Sequence, residues 1–117
     1  MEKFLIQGQK RLEGSLRIHG AKNSALPILA ATLVSGDCEI HNCPLLTDVD
    51  AACNILNYLG SQTKRENNSI LVSAGNSDCY CIPDDLMRMM RSSIVFLGAI
   101  IAKCGKARIS LPGECEL

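Results

Sequence analysis

The run His19-Gly20-Ala21-Lys22-Asn23-Ser24-Ala25-Leu26-Pro27 places an ammonium beside a carboxamide. Lys22 offers a point charge and Asn23 a donor and an acceptor, a combination that suits a phosphate or a carboxylate. Gly14 to Ile18 alternates like a strand, and Ser24 to Val34 is uncharged and suits a buried helix. Lys22 and Asn23 therefore fall at a predicted strand-to-helix junction. Free backbone N–H groups and the positive end of the helix dipole favour an anion there. The same two residues also suit a helix cap and a solvated charge, and one Gly-x-Lys-Asn does not decide between them.

Two further groups carry chemistry. Leu111-Pro112-Gly113-Glu114-Cys115 follows a short strand-like run from Ala107, and its Pro and Gly predict a loop with Cys115 at its tip. A thiol there has a mobile proton and a nucleophilic thiolate; the alternative is a spare thiol like the other six. Met90-Arg91-Ser92-Ser93 lies within an apolar helical pattern. The Arg91 guanidinium can grip a phosphate as a fork or serve as a solvated helix-face charge.

The elements that must position these residues follow from periodicity. Strands are predicted over 3–7 and 15–19 with a turn between them, and a helix over 23–34 ended by Gly36. A strand over 38–41 follows. Thr47 suits the cap of a helix over 48–59, which Asp48 and Asp50 stabilise near its positive end and Gly60 ends. Strands over 62–66 and 69–73 flank Asn67-Asn68, a hairpin signal because Asn tolerates positive φ. Asp84 opens a longer helix with Leu86, Met90, Ser93, Leu97 and Ile101 on one face. Gly105 breaks it before a strand over 107–111. The order is strand, helix, strand, helix, strand, strand, with a second round begun.

Composition narrows the function. The chain has 117 residues, 47% of them hydrophobic, with two Phe, two Tyr and no Trp, so its core is aliphatic. Twelve basic and twelve acidic residues cancel, which argues against a nucleic-acid footprint. The longest apolar run, Ile94 to Ala102, is too short to span a bilayer, and no apolar segment of signal-peptide type follows Met1. Seven cysteines, an odd number, fit free thiols in a reducing cytoplasm. Cys53 and Cys104 sit on apolar patterns and are expected in the core. Cys79-x-Cys81, the Cys38/Cys43 pair, His19 and His41 do not have zinc-site spacing, so no metal is expected.

Taken together, the motifs resemble the beginning of the UDP-N-acetylglucosamine 1-carboxyvinyltransferase family, within the EPSP synthase superfamily. The likeness rests on Phe4-x-Ile6-x-Gly8, Gly20-Ala21-Lys22-Asn23-x-Ala25-Leu26-Pro27-Ile28-Leu29-Ala30-Ala31 and Asp48-Val49-Asp50. It also rests on Leu59-Gly60, Met90-Arg91-x-Ser93 and Leu111-Pro112-Gly113-x-Cys115. It implies an inside-out α/β barrel of strand-helix-strand-helix-strand-strand units, incomplete here at about one and a half units. Residues 1–20 would be strands of the second domain, and residues 21–117 the first part of the domain with the catalytic loop.

The resemblance further implies transfer of the enolpyruvyl group from phosphoenolpyruvate to the 3′-hydroxyl of UDP-N-acetylglucosamine, in cytoplasmic peptidoglycan synthesis, with no cofactor. Lys22 and Asn23 match phosphoenolpyruvate-binding residues, Arg91 a substrate-site arginine, and Cys115 the catalytic cysteine to which fosfomycin attaches. No nucleic acid or membrane partner is implied, and the remaining carboxy-terminal part of the enzyme would supply the general base and further arginines. One departure stands out: Glu114 replaces a glycine usual beside that cysteine. Three other readings compete. A truncated, non-catalytic product could bind a sugar nucleotide or nothing. The shikimate-pathway relative is disfavoured by Lys22-Asn23 and Cys115. A small thiol redox or metal protein rests on cysteine count alone.

Overall fold

The uncharged run after Ala21 forms helix α1 (Lys22–Ser35), and the computed structural model describes it within residues 2–110. Pro27 lies inside α1, in its second turn, where it has no N–H to give the Asn23 carbonyl, and the helix continues through it to Ser35. Gly36, at φ 91°, ends the helix in a conformation that costs other residues dearly. There follow β1 (Cys38–Ile40), α2 (Thr47–Tyr58), β2 (Gln62–Glu66) and β3 (Ser69–Ser73). The three strands form one antiparallel sheet in the order β1-β3-β2. The β2–β3 hairpin pairs Glu66 with Ser69 across Asn67, which takes the expected positive φ of 52°. Central β3 turns Ile70 and Val72 into the core, in one buried cluster with Val49, Ile55 and Leu56 of α2 and Leu26, Leu29 and Leu33 of α1. Each leucine or isoleucine so buried contributes roughly 1.5–3 kcal/mol.

The second round departs from the expected long helix. It is broken into α3 (Asp84–Arg88), a 3₁₀ turn (Arg91–Val95) and α4 (Phe96–Cys104). The buried positions are Met87, Met90, Ser93, Phe96 and Ile100, not the expected face of Leu86, Leu97 and Ile101. Spacing of three residues is what a 3₁₀ turn presents on one side, whereas an α-helix would rotate the stripe away. Ser93 stays buried by donating its hydroxyl to the Met87 carbonyl at 3.4 Å. Beyond α4, Arg108 makes only an isolated parallel bridge to Cys81 in place of the expected strand over 107–111, of which 107–110 are described.

The other correction concerns residues 2–20, where neither expected strand forms. Phe4 is 97% and Leu5 99% exposed, and Ile6, Leu12, Leu16 and Ile18 are also exposed. Alternating side chains make a strand only when a neighbour supplies the ladder of hydrogen bonds, and β1 and β2 each pair with β3, not with residues 2–20. The helix of residues 24–34 is likewise covered on one side only: Leu26, Leu29 and Leu33 are buried, while Ile28 and Val34 are half exposed.

Where the chain enters α1, Gly20 packs against the backbone of the loop after β1. A Cβ there would overlap the Asn42 carbonyl oxygen, with the Pro44 ring 3.4 Å away. Asn42 itself sits at φ 54°. Next to it, the Cys43 N–H donates to the Asn68 carbonyl at 2.7 Å and draws that cysteine under the hairpin turn. Cys43 is therefore the buried thiol, while Cys53 and Cys104, expected in the core, are half-buried at its margin. Burial raises the Cys43 thiol against the opposing pull of Arg65. Burial also raises Cys53, which a hydrogen bond from Thr63 partly offsets.

Two outcomes follow from this packing. Gly20→Ala is expected to lose about 1–3 kcal/mol in urea unfolding, because backbone rather than a flexible side chain blocks the new methyl. Gly8→Ala, where a Cβ meets nothing within 4 Å, is the control and is expected to lose little. The raised thiols stay neutral in the folded chain while the unfolded chain ionises. Their stabilisation is thus complete below the ordinary value of 9.0 and declines as pH rises above it. The double variant Cys43→Ala, Cys53→Ala is expected to show a shallower alkaline decline of the urea midpoint; an unchanged slope would refute the assignment.

Candidate functional site

Helix α1 begins without a side-chain cap: Ala21 holds the N-cap position and has no oxygen to offer. Asn23 is not the cap that the sequence left open. It lies exposed in the first turn, next to Lys22. Thr47 is not a cap either, since Leu46 holds that position for α2 and Thr47 is the first helical residue. Two uncapped N-termini are thus available to an anion.

Those two termini lie side by side. The Lys22 Nζ is 3.3 Å from the Asp48 Oδ2 in the first turn of α2, with the two side chains 45% and 25% exposed. A cation on the first residue of a helix opposes the dipole by about 0.3–1 kcal/mol, whereas a carboxylate there is favoured by a similar amount. Asp48 therefore offsets locally what Lys22 costs. Asp50, in the same turn, reaches the Arg65 Nη2 of β2 at 3.5 Å. Neither terminal nitrogen of Arg65 makes a hydrogen bond, although both are buried.

Gly20 borders two hollows beside the start of α1. A hollow of about 220 Å³ lies on one side of it, lined by Ala21, Ser24, Ile28, Ile40, Asn42 and Cys43 among others. A second, of about 300 Å³, lies against His19, Gly20, Pro44, Leu45 and Leu46. A small polar anion at the start of α1 would meet helix N–H groups, the Lys22 ammonium and the Asn23 amide. That set can bind a phosphate and follow its charge as a bond to it breaks.

The structure brings Lys22 and Asn23 together on one turn. It places the backbone of Arg91 at the start of the 3₁₀ turn, a segment that packs against α1. Cys115 and Glu114 lie outside the described residues. Among the described residues no three His, Cys, Asp or Glu side chains converge as a metal site would require, and no helix is long and apolar enough to cross a membrane. Sequence reasoning noticed Asp48 only as a helix-dipole carboxylate. Its pairing with Lys22 links residues far apart in the chain, and no local pattern carries that information.

Comparison with known proteins places this geometry in context. The chain is 51% identical over its whole length to UDP-N-acetylglucosamine 1-carboxyvinyltransferase 2 of Caldanaerobacter subterraneus. It is 48% identical to UDP-N-acetylglucosamine 1-carboxyvinyltransferase of Baumannia cicadellinicola and 43% to that of Yersinia pestis. In each case it spans 28% of the relative's length. In structure it is similar to the enolpyruvyl transferase NikO from Streptomyces tendae, with a TM-score of 0.69 at 27% identity, over 84% of this chain and 23% of that one. The described residues are accordingly part of an inside-out α/β barrel, as the family resemblance implied. Residues 6–117 match the family described as EPSP synthase (3-phosphoshikimate 1-carboxyvinyltransferase), and the chain belongs to that family.

Proposed function

We propose that this chain is the amino-terminal part of an enzyme that transfers the enolpyruvyl group of phosphoenolpyruvate to the 3′-hydroxyl of UDP-N-acetylglucosamine. The observation that carries this reading is 51% identity, over the whole chain, to a relative named for that chemistry. The uncapped start of α1, with Lys22 and Asn23 on it, supports it. In this reading the sugar hydroxyl adds to the enol carbon as the methylene carbon takes a proton. A tetrahedral adduct forms, and loss of phosphate and of a proton restores the double bond. Lys22 and Asn23 hold phosphoenolpyruvate, and the ammonium stabilises the charge that gathers on the departing phosphate. Arg91 orients the anionic nucleotide sugar through its guanidinium fork. Cys115 supplies the proton and is the thiol that fosfomycin alkylates. The remaining groups come from the carboxy-terminal part of the enzyme, and the setting is cytoplasmic peptidoglycan synthesis.

Glu114 modifies this scheme. A carboxylate beside Cys115 disfavours the thiolate and repels an incoming phosphate. It also puts a side chain where glycine gives the backbone more freedom.

The test joins this chain to the carboxy-terminal part of the enzyme, its own or that of the Caldanaerobacter relative. The joined protein is expected to release phosphate from phosphoenolpyruvate only when UDP-N-acetylglucosamine is present, and the 117-residue chain alone to release none. Lys22→Ala is expected to lower kcat/KM about a hundredfold or more, the scale of a lost charge-stabilising donor. Cys115→Ser is expected to abolish fosfomycin attachment by mass spectrometry, and Glu114→Gly to accelerate it. Turnover with 3-phosphoshikimate in place of the nucleotide sugar would overturn the assignment of substrate.

A further inference from the structure

We infer that Asp48 is a positioning residue for Lys22: it holds the ammonium at the mouth between two helix N-termini, ready for the phosphate of phosphoenolpyruvate. The inference rests on the reading of Lys22 given above and adds a residue to it. Three observations carry it. The Lys22 Nζ and Asp48 Oδ2 are 3.3 Å apart. Both residues lie in the first turns of their helices, with Lys22 opening α1 and Asp48 the second residue of α2. Neither helix has a side-chain cap, so no side chain of the cap residue occupies the N–H groups of either first turn.

The physical case begins with Lys22 alone. Its four-carbon stem has many rotamers, and the positive end of α1 repels its charge, so an unpaired ammonium would swing towards solvent. Asp48 cancels that repulsion from a position where the dipole of α2 favours a carboxylate. The pair remains partly exposed, so an arriving phosphate can compete for the ammonium without a large desolvation cost. Holding Lys22 in place before substrate arrives removes part of the ordering cost from binding. No covalent step is involved: Asp48 keeps its charge, and solvent replaces the ammonium at its carboxylate to the extent that the phosphate takes Lys22.

The test is a double-mutant cycle on the joined full-length protein. Asp48→Asn, close to isosteric, is expected to raise the KM for phosphoenolpyruvate about fivefold, the upper range for a partly exposed ion pair, with kcat within about twofold. Asp48→Glu is expected to recover most of the loss. In the Lys22→Ala background, Asp48→Asn is expected to change nothing further, because its effect passes through the ammonium. A merely structural Asp48 would instead lower the urea midpoint and act equally with or without Lys22, and that additive result would overturn the proposal. A strong Lys22→Ala effect with a silent Asp48→Asn would overturn the positioning role alone. A silent Lys22→Ala would overturn both this inference and the assignment of Lys22 to phosphoenolpyruvate.

Discussion

Burial of one leucine stripe organises everything described here. Leu26, Leu29 and Leu33 of α1 are all within 4% of full burial, and α1 packs on α2, α4 and the 3₁₀ turn. Fixing α1 by that stripe fixes the direction in which its first turn points. Lys22 and Asn23 then have no freedom beyond their own side chains. The sheet contributes indirectly: β1 returns the chain from the end of α1 to the start of α2, so the two helices begin at the same end of the molecule. A cavity-forming change such as Leu29→Ala, of a type that costs about 2–5 kcal/mol, would disturb the start of α1 as well as the core.

The first turn of α2 is the electrostatic counterpart of that stripe. Two carboxylates leave it in different directions, Asp48 to Lys22 of α1 and Asp50 to Arg65 of the hairpin. Each is favoured by the dipole of α2, and each answers a cation on a neighbouring element. These pairs are too exposed to add much stability. Their effect is on orientation, in the one region where helix N-termini, hollows and a conformationally restricted loop coincide. Arg65 differs from Lys22 in that its terminal nitrogens are buried without hydrogen bonds, so it belongs to the packing of α2 on β2.

Much of this arrangement was legible in the residues, and the failures are informative. The two strands of the hairpin and its turn are legible because Asn67-Asn68 and the flanking alternation act locally. The helices α1 and α2 were found because their apolar runs are bounded by Gly36 and Gly60. The cap expected at Thr47 falls one residue earlier, at Leu46, and the cap left open at Asn23 is Ala21, because tertiary packing sets the first helical residue. The long helix from Asp84 was misread because a 3₁₀ turn changes the period from 3.6 to 3, and only burial of Met87, Met90, Ser93 and Phe96 reveals it. Residues 2–20 carry a strand pattern whose partner lies in none of the three strands. Lys22 and Asn23 were recognisable as candidate anion ligands from type and spacing, but Asp48 was not, because the contact is long-range.

The meeting of Gly20 with Asn42 restricts the two sides unequally. At position 42 the contact is made by a carbonyl, which every amino acid carries. The left-handed backbone there admits asparagine, glycine or aspartate at little cost. Position 20 has no such latitude, because any side chain at all would enter the space of that carbonyl. Drift in the loop can therefore proceed one residue at a time, and drift at the threshold of α1 cannot. An evolving or engineered variant could exchange much of the loop that faces the start of α1, but position 20 stays glycine unless the whole loop after β1 is rebuilt with it.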